Sequence, residues 1–259
     1  MKAKLILFVQ IVVAVTALSG FCWGTYTVVH YLRTAPRFEV KKLSVSGSNG
    51  ALKRVSENEI LSQAEFEVGT NVFRVGLEDI RQRVERLEWV RYATVQRVLP
   101  DRIIIKVTER EPIGLARINR DVFQFDVDAT ILELDQVSEV SFPILDGLKL
   151  DRHDDNLKKV GVYRKVIEAL GQTELSEVHV NDNGEVSLVS ANDPMLINLG
   201  AGDFRARWLK YLQLKPQIQQ KYPQAVRVDL RFKNQVIVRM KMDDDPSDNT
   251  VWDAGKKLL

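Results

Sequence analysis

The sequence predicts an α+β protein with one N-terminal transmembrane helix, followed by two domains outside the membrane. Residues 5–32 contain no Asp, Glu, Lys or Arg, which predicts the membrane helix. Residues 38–110 carry strand and helix patterns in the order β-α-α-β-β. Residues 111–242 contain many short strand patterns and two longer helical ones, which predict a domain with an antiparallel sheet. Residues 1–4 are then a cytoplasmic tail and residues 243–259, which are rich in Asp, a disordered tail.

The apolar segment is long enough to cross a membrane. At 1.5 Å per residue, a helix over residues 5–32 reaches about 40 Å, and a bilayer core is roughly 30 Å thick. The alternative is a cleaved signal peptide, with Lys2 and Lys4 before a short apolar stretch. Apolar and aromatic residues continue to Leu32, past the end of a typical signal peptide, which favours an uncleaved anchor.

The orientation of this anchor is less clearly marked. Basic residues flank it on both sides, so the positive-inside rule does not decide the orientation. The very short tail before the anchor favours a cytoplasmic N-terminus, with the bulk of the chain outside the cytoplasm. Cys22, the single cysteine, lies inside the anchor, so the domains outside it have no disulfide.

Composition argues against nucleic-acid binding and most catalytic chemistry. The formal net charge of +2 is nearly balanced and comes without a basic stripe interleaved with aromatics. The histidines are far apart in sequence, without Cys or His at metal-ligand spacing: His30, His153 and His179. Gly200-Ala201-Gly202 lacks the Lys-Ser/Thr of a phosphate loop. The sequence therefore predicts no enzyme, no catalytic residue, no cofactor and no metal site.

Calcium binding is an alternative interpretation of one stretch of the second domain. Four acidic residues follow one another in a strand-turn-strand pattern: Asp126, Asp128, Glu133 and Asp135. Carboxylates are the ligands that calcium prefers. The alternation of the pattern places these side chains on a solvated face, which is the simpler interpretation.

The first domain begins with a strand and a capped helix. Residues 38–46 alternate between apolar and polar and end in a Gly-rich turn. Ser56 and Glu59 have the spacing of a capping box, which predicts a helix start. The apolar positions of both helices and of the strands predict this core: Val45, Ile60, Leu77, Ile80, Val84, Leu87, Val95 and Ile105.

The rest of the first domain is a hairpin, and the second domain is mostly strands. Residues 89–98 and 102–108 are strand patterns around a Leu-Pro-Asp turn. The predicted strands of the second domain are 112–119, 121–127, 130–134, 142–145, 177–181, 186–190, 226–232 and 236–240. Asp182-Asn183-Gly184 is a strong hairpin signal. One helix is predicted over 157–170, and another from Asp203 with Phe204, Trp208 and Leu212 on one face.

Five short motifs resemble one known family. Leu87-Glu88-Trp89-Val90 and the run 95–101 resemble a POTRA domain, and 107–113 resembles the junction between POTRA and the second domain in FtsQ/DivIB division proteins. Ile197-Asn198-Leu199-Gly200 and Val228-Asp229-Leu230-Arg231-Phe232 match the second domain of that family. Phe232 stands where a tyrosine is usual. The resemblance spans about 5–242 and keeps the order and spacing of the motifs.

The resemblance implies a non-enzymatic scaffold of the bacterial division machinery. It implies binding to FtsB-like and FtsL-like partners through the second domain, and to other division proteins through the POTRA domain and the anchor. It also implies a single-pass type II protein of the inner membrane, with its bulk in the periplasm at the division septum. The alternatives are a POTRA-bearing envelope assembly or transport factor and an anchored hydrolase, for which no clustered catalytic set is visible.

The last strand pattern is the predicted docking edge for a partner. A terminal strand is often an edge strand, whose unpaired backbone can accept another strand. The alternative is an edge guarded against such pairing by Arg239 and Lys241. With the family resemblance, the predicted partner-binding residues are Arg231, Phe232, Asn234, Gln235, Val236, Val238 and Met240.

Overall fold

The fold is taken from a computed structural model, which describes residues 2–65, 69–134, 141–233, 235–240 and 256–258. The chain divides into two compact units, Met1–Arg110 and Glu111–Leu259. The predicted fold class is confirmed, because an N-terminal apolar helix precedes two mixed units of helices and strands.

Helix α1 spans Lys2–Thr34 and extends beyond both ends predicted from the sequence. Its stretch Gln10–Thr34 has a mean hydropathy of 1.6, is not buried against the rest of the protein, and is long enough to cross a membrane. A 3-10 turn, Pro36–Phe38, follows directly. The Asn71 side chain Nδ2 donates a hydrogen bond to the Leu32 carbonyl at 3.0 Å, so the end of α1 is attached to the first unit.

The first unit contains a three-stranded sheet and two short helices. Its elements are β1 (Lys42–Gly47), α2 (Glu57–Ala64), α3 (Leu77–Val84), β2 (Val90–Val98) and β3 (Arg102–Glu109). Strand β3 lies in the centre, parallel to β1 and antiparallel to β2. The β-α-α-β-β order is the one that the sequence patterns predict.

The core of the first unit contains the predicted residues at two levels of burial. Ile60, Ile80, Val84 and Ile105 are buried. Val45, Leu77, Leu87 and Val95 are partly buried and pack against that cluster. The capping box is formed: Glu59 N donates to Ser56 Oγ at 3.2 Å and Ser56 N to Glu59 Oε2 at 3.4 Å.

Glu109 fixes the loop before α2. Its carboxylate accepts hydrogen bonds from three successive backbone amides, those of Lys53 at 2.9 Å, Arg54 at 2.7 Å and Val55 at 2.9 Å. A carboxylate is a strong acceptor, and three amides directed at it hold both the loop and the end of β3. Glu109 belongs to the junction motif noted in the sequence, so part of that motif has a structural role.

The second unit is built around one long sheet. Its strands are β4 (Pro112–Ile118), β5 (Asp121–Asp126), β6 (Ile131–Leu132), β7 (Ile144–Asp146), β8 (Leu175–Val180), β9 (Val186–Ser190), β10 (Asp193–Gly200), β11 (Ala225–Asp229), β12 (Val236–Met240) and β13 (Lys256–Leu258). Its helices are α4 (His153–Leu170) and α5 (Phe204–Lys221), the two longer helices that the sequence predicts. The strand order is β13-β12-β11-β10-β9-β8-β7-β4-β5-β6.

This sheet is mixed, whereas the sequence predicts an antiparallel sheet. Three pairs are parallel: β4 with β7, β7 with β8, and β10 with β11. Parallel neighbours need a crossover connection, and α4 and α5 supply it for the second and third of these pairs. Helix α5 buries Trp208 and Tyr211, whereas Leu212, predicted to share the face of Trp208, is exposed.

The C-terminal residues differ from the prediction. Strand β12 was expected at the edge of the sheet, but residues 256–258 pair with it in antiparallel orientation. These three residues form a strand instead of the predicted disordered tail. The other residues of that predicted tail, 243–255 and 259, lie outside the described residues.

Candidate partner-binding edge

The two motifs noted in the second domain lie side by side in the sheet. Strands β10 and β11 are parallel, with Ile197 opposite Val228 and Asn198 opposite Asp229. The Leu230 amide donates to the Asn198 carbonyl at 2.9 Å, which extends this contact beyond the strands. The motifs are separated in sequence but form one structural element beside the predicted docking edge.

Arg231 is held within the domain at the start of the β11–β12 connection. Its Nη2 lies 2.9 Å from Asp229 Oδ2 and its Nη1 lies 3.2 Å from Glu185 Oε1. The hydrogen bond to Asp229 is the main reason that the pKa of Arg231 is raised. The Arg231 side chain also packs against Gly200, where an added Cβ would lie 2.7 Å from Arg231 Cγ. Arg231 therefore stabilises the connection more than it offers a free charge.

Phe232 is the aromatic group that this connection presents. Its side chain is 40% exposed, with the Arg231 guanidinium carbon 5.9 Å from its ring centroid. Lys210 Nζ, on α5, donates to the Lys233 carbonyl at 3.3 Å. The ring is therefore held on a connection that is tied to both β10 and α5.

Strand β12 presents few side chains, and its backbone is paired with β11 and β13. Val236 and Val238 are 3% exposed and belong to the core of the second unit. Gln235 is half-buried, Met240 is 43% exposed, and Asn234 lies outside the described residues. Of the seven predicted residues, Phe232 and Met240 are those whose described side chains present apolar surface, while Val236 and Val238 can contribute hydrogen bonds from the main chain.

One exposed residue near this edge was missed in the sequence. Val226 is 45% exposed and lies at a bulge in β11, beside the Ala225–Met240 pair. The alternation of residues 226–232 predicts a regular strand, and a bulge leaves no mark in that pattern. Val226 therefore adds apolar surface at the Met240 end of β12.

A cluster of charged residues lies elsewhere on the sheet. Arg117 Nη2 contacts Asp146 Oδ2 at 2.5 Å and Glu177 Oε2 at 3.1 Å. His179 lies between the same two carboxylates, with Nδ1 at 2.9 Å from Asp146 and Nε2 at 3.2 Å from Glu177. The arginine hydrogen bond is the main cause of the lowered pKa of Glu177. Asp146, Glu177 and His179 could hold a metal ion by their spacing, but the guanidinium of Arg117 already takes the cation position.

Of the acidic residues considered for calcium, Asp126 and Asp128 belong to the turn between β5 and β6. Asp126 is buried, not solvated as predicted, and its Oδ1 accepts the amides of Asp128 and Thr130, each at 2.9 Å. Its carboxylate therefore shapes the connection from β5 to β6. Asp135 lies outside the described residues.

Comparison with known proteins assigns both units. A POTRA domain of the FtsQ type matches residues 38–110, and the C-terminal model of cell division protein FtsQ/DivIB matches 116–231. Phe232 and strand β12 lie just beyond the second match.

Whole-length relatives agree with these domain matches. Cell division protein FtsQ of Koribacter versatilis is 29% identical over 92% of this chain and 70% of its own length. FtsQ of Syntrophotalea carbinolica is 22% identical over 85% of each chain. The solved extracytoplasmic domain of DivIB from Geobacillus stearothermophilus shares 18% identity over 43% of this chain and 92% of its own, with a TM-score of 0.26 that does not bear on the fold. On the two domain matches and these relatives, the chain belongs to the FtsQ/DivIB family of bacterial cell division proteins.

Proposed function

We propose that this protein is a non-enzymatic scaffold of the division machinery that binds FtsB-like and FtsL-like membrane proteins through its second domain. Family membership supports the division role and partner proteins in general. The observation that favours this site is that β12, one strand from the end of the sheet, lies next to an exposed aromatic ring on a firmly held connection. The same family assignment favours this function over that of an envelope assembly factor.

The edge binds by two complementary contacts. The backbone of residues 235–240 pairs with an incoming strand, which supplies affinity without sequence specificity. Phe232 enters a pocket of the partner, and Met240 and Val226 cover apolar surface at the other end of the strand. Aromatic residues in such positions often dominate binding. Since both proteins are anchored in one membrane, their high effective concentration compensates for a modest affinity between the soluble parts.

Phe232→Ala is the sharpest test of this edge. We expect it to weaken binding of the soluble FtsB/FtsL segments by about 2 kcal/mol or more, as for other hot-spot aromatics, in a calorimetric titration. Val122→Ala is the matched control, because Val122 is 37% exposed on β5, seven strands away in the same sheet. Equal binding by both folded variants and the unchanged protein would place the docking edge elsewhere.

Arg231→Glu is a poorer probe, although Arg231 is among the predicted residues. The substitution places a carboxylate beside Asp229 and Glu185, so it destabilises the connection itself. Arg231→Lys keeps the charge but loses the two-sided contact of the guanidinium. A loss of partner binding in Arg231→Glu counts only when circular dichroism and the unfolding midpoint match those of the unchanged protein.

Topology is proposed on the same basis. The apolar helix and the family together indicate a single-pass membrane protein of cell division. We place the N-terminus in the cytoplasm and the bulk of the chain in the periplasm, at the septum. A reporter that is active only outside the cytoplasm, fused after Leu259, should be active in the membrane fraction. A mature N-terminus between Ser19 and Trp23 would contradict the uncleaved anchor.

A further inference from the structure

The C-terminal strand β13 lies on the same edge that the proposed partner would use. It is antiparallel to β12, with Leu258 opposite Val236, Lys257 opposite Ile237 and Lys256 opposite Val238. The other edge of β12 is paired with β11. Strand β13 therefore occupies one edge of residues 236–238, and β11 occupies the other edge of Ile237 and Val238.

A strand has two edges for ladder hydrogen bonds, and neighbouring strands lie about 4.8 Å apart. A partner strand cannot pair with residues 236–238 while β13 is there. A partner strand that pairs with this stretch of β12 therefore has to displace β13.

We infer that β13 is an internal competitor for the docking edge, which lowers the apparent affinity of the partner and covers the edge in the unbound protein. This inference rests on the proposed function. An uncovered edge strand pairs readily with other copies of the chain, and a covering strand prevents this.

The length of β13 suits a competitor that must be displaced. Three residue pairs make a short ladder, which opens more easily than a longer one. Residues 241–255 tether β13 to β12, which keeps its local concentration high after each opening. A partner strand that pairs over a longer stretch then replaces β13, because it forms more hydrogen bonds with the same edge.

Hydrogen exchange tests the pairing without any partner. The unchanged protein is compared with a form that stops after Gly255, which lacks β13 but keeps the tether. We expect the β12 amides that point toward residues 256–258 to exchange faster in the shortened form, while amides paired with β11 stay protected. Equal exchange rates in the two forms would overturn the inference.

Binding of the soluble FtsB/FtsL segments tests the competition. If β13 is formed in about half to nine-tenths of the molecules, its removal strengthens the apparent affinity about twofold to tenfold. Lys257→Pro removes one amide from β13 and should act in the same direction, whereas Asn249→Pro, in the tether, is the control without effect.

The two proposals fail in different ways. Equal affinity of the shortened and unchanged proteins, with binding still lost in Phe232→Ala, would overturn the competition and leave the docking edge in place. Absence of binding in every form, including the shortened one, would overturn the proposed function and the competition with it.

Discussion

Glu109 in the first unit and Asp193 in the second are two carboxylates that are satisfied in different ways. In the first unit, Glu109 accepts three backbone amides of one loop. In the second, Asp193 is buried and accepts one backbone amide, that of Met195 at 3.1 Å, but two side chains make its other contacts: Tyr211 Oη donates to it at 2.6 Å and Lys215 Nζ lies at 3.0 Å. Every residue but proline has a backbone amide, whereas a phenol or an ammonium group requires a particular residue. The first unit should therefore tolerate changes around its carboxylate better than the second.

The comparison of the two carboxylates assumes that apolar packing supplies most of the stability of both units. Truncation of a buried core side chain tests this assumption and should have the largest effect on the free energy of unfolding. Ile105→Ala removes a fully buried side chain from the central strand β3 and should lower the free energy of unfolding by about 2–5 kcal/mol. Leu87→Ala, at a partly buried position, should cost less. Urea unfolding of the 38–110 fragment measures both, and a fragment without cooperative unfolding would contradict its independence as a domain.

Tyr211→Phe tests the side-chain-bound carboxylate. The change keeps the ring but removes the hydroxyl that donates to Asp193, so one buried acceptor loses a partner. We expect a loss of about 1–3 kcal/mol in the free energy of unfolding of the second unit. Tyr222→Phe is the control, since Tyr222 is also buried but lies outside the Asp193 contacts. Equal losses of stability in the two variants would mean that the hydrogen bond from Tyr211 to Asp193 contributes no more than any other tyrosine hydroxyl.

The stability that the Asp193 contacts contribute should depend on pH. Burial by itself raises the pKa of Asp193, but the hydrogen bonds from Tyr211 and Lys215 outweigh it and leave the pKa lowered. A group with a lowered pKa in the folded state stabilises the fold above its unfolded pKa and loses that effect as pH falls. The unfolding free energy should decrease below about pH 4, and Asp193→Asn should flatten that decrease. An unchanged slope in this variant would assign the decrease to other carboxylates.

Glu109→Gln tests the amide-bound carboxylate in the first unit. An amide side chain has a single neutral acceptor oxygen for the amides that the carboxylate now holds, and we expect a loss of about 1–2 kcal/mol. Lys53→Ala changes a loop residue whose backbone, not its side chain, makes the contact, so it should stay within about 0.5 kcal/mol of the unchanged protein. A larger loss of stability in Lys53→Ala would contradict the claim that only the backbone of this loop matters for Glu109.

The smallest expected effect is at the capping box. Ser56→Ala removes the acceptor of the Glu59 amide and should lower the unfolding free energy by about 1 kcal/mol. Ser56→Asp keeps an acceptor and should restore most of the loss. Thermal unfolding of the first unit distinguishes the two, and equal destabilisation would show that the cap contributes little.

Features formed by residues close together in the chain were predictable from the sequence. Contacts between residues far apart in the chain were not. The spacing of Ser56 and Glu59 alone predicts the capping box, and Asp182-Asn183-Gly184 predicts the β8–β9 hairpin. The Asp193 contacts join β10 to α5 and depend on how the helix crosses the sheet. Likewise, the parallel pairs follow from crossovers, which periodicity does not reveal.

The proposed docking edge contains one feature that was predictable and two that were not. The β-rich pattern of residues 235–240 predicts strand β12, and the structure contains it. That Arg231 is bound to Asp229 and Glu185 could not be seen, because Glu185 lies on a hairpin far away in sequence. Lys256-Lys257-Leu258 has no strand signature of its own and becomes a strand because β12 offers it an open edge.

The hydrogen bond between Asn71 and the Leu32 carbonyl has a rotational consequence. It ties the C-terminal end of α1 to the segment around Asn71, so a turn of the helix about its axis carries that segment with it. A protein that contacts both the apolar surface of α1 and the segment around Asn71 therefore needs a particular rotational setting of the helix. One residue inserted into the anchor shifts that setting by about 100°, and seven residues nearly restore it, at about 10 Å of added length.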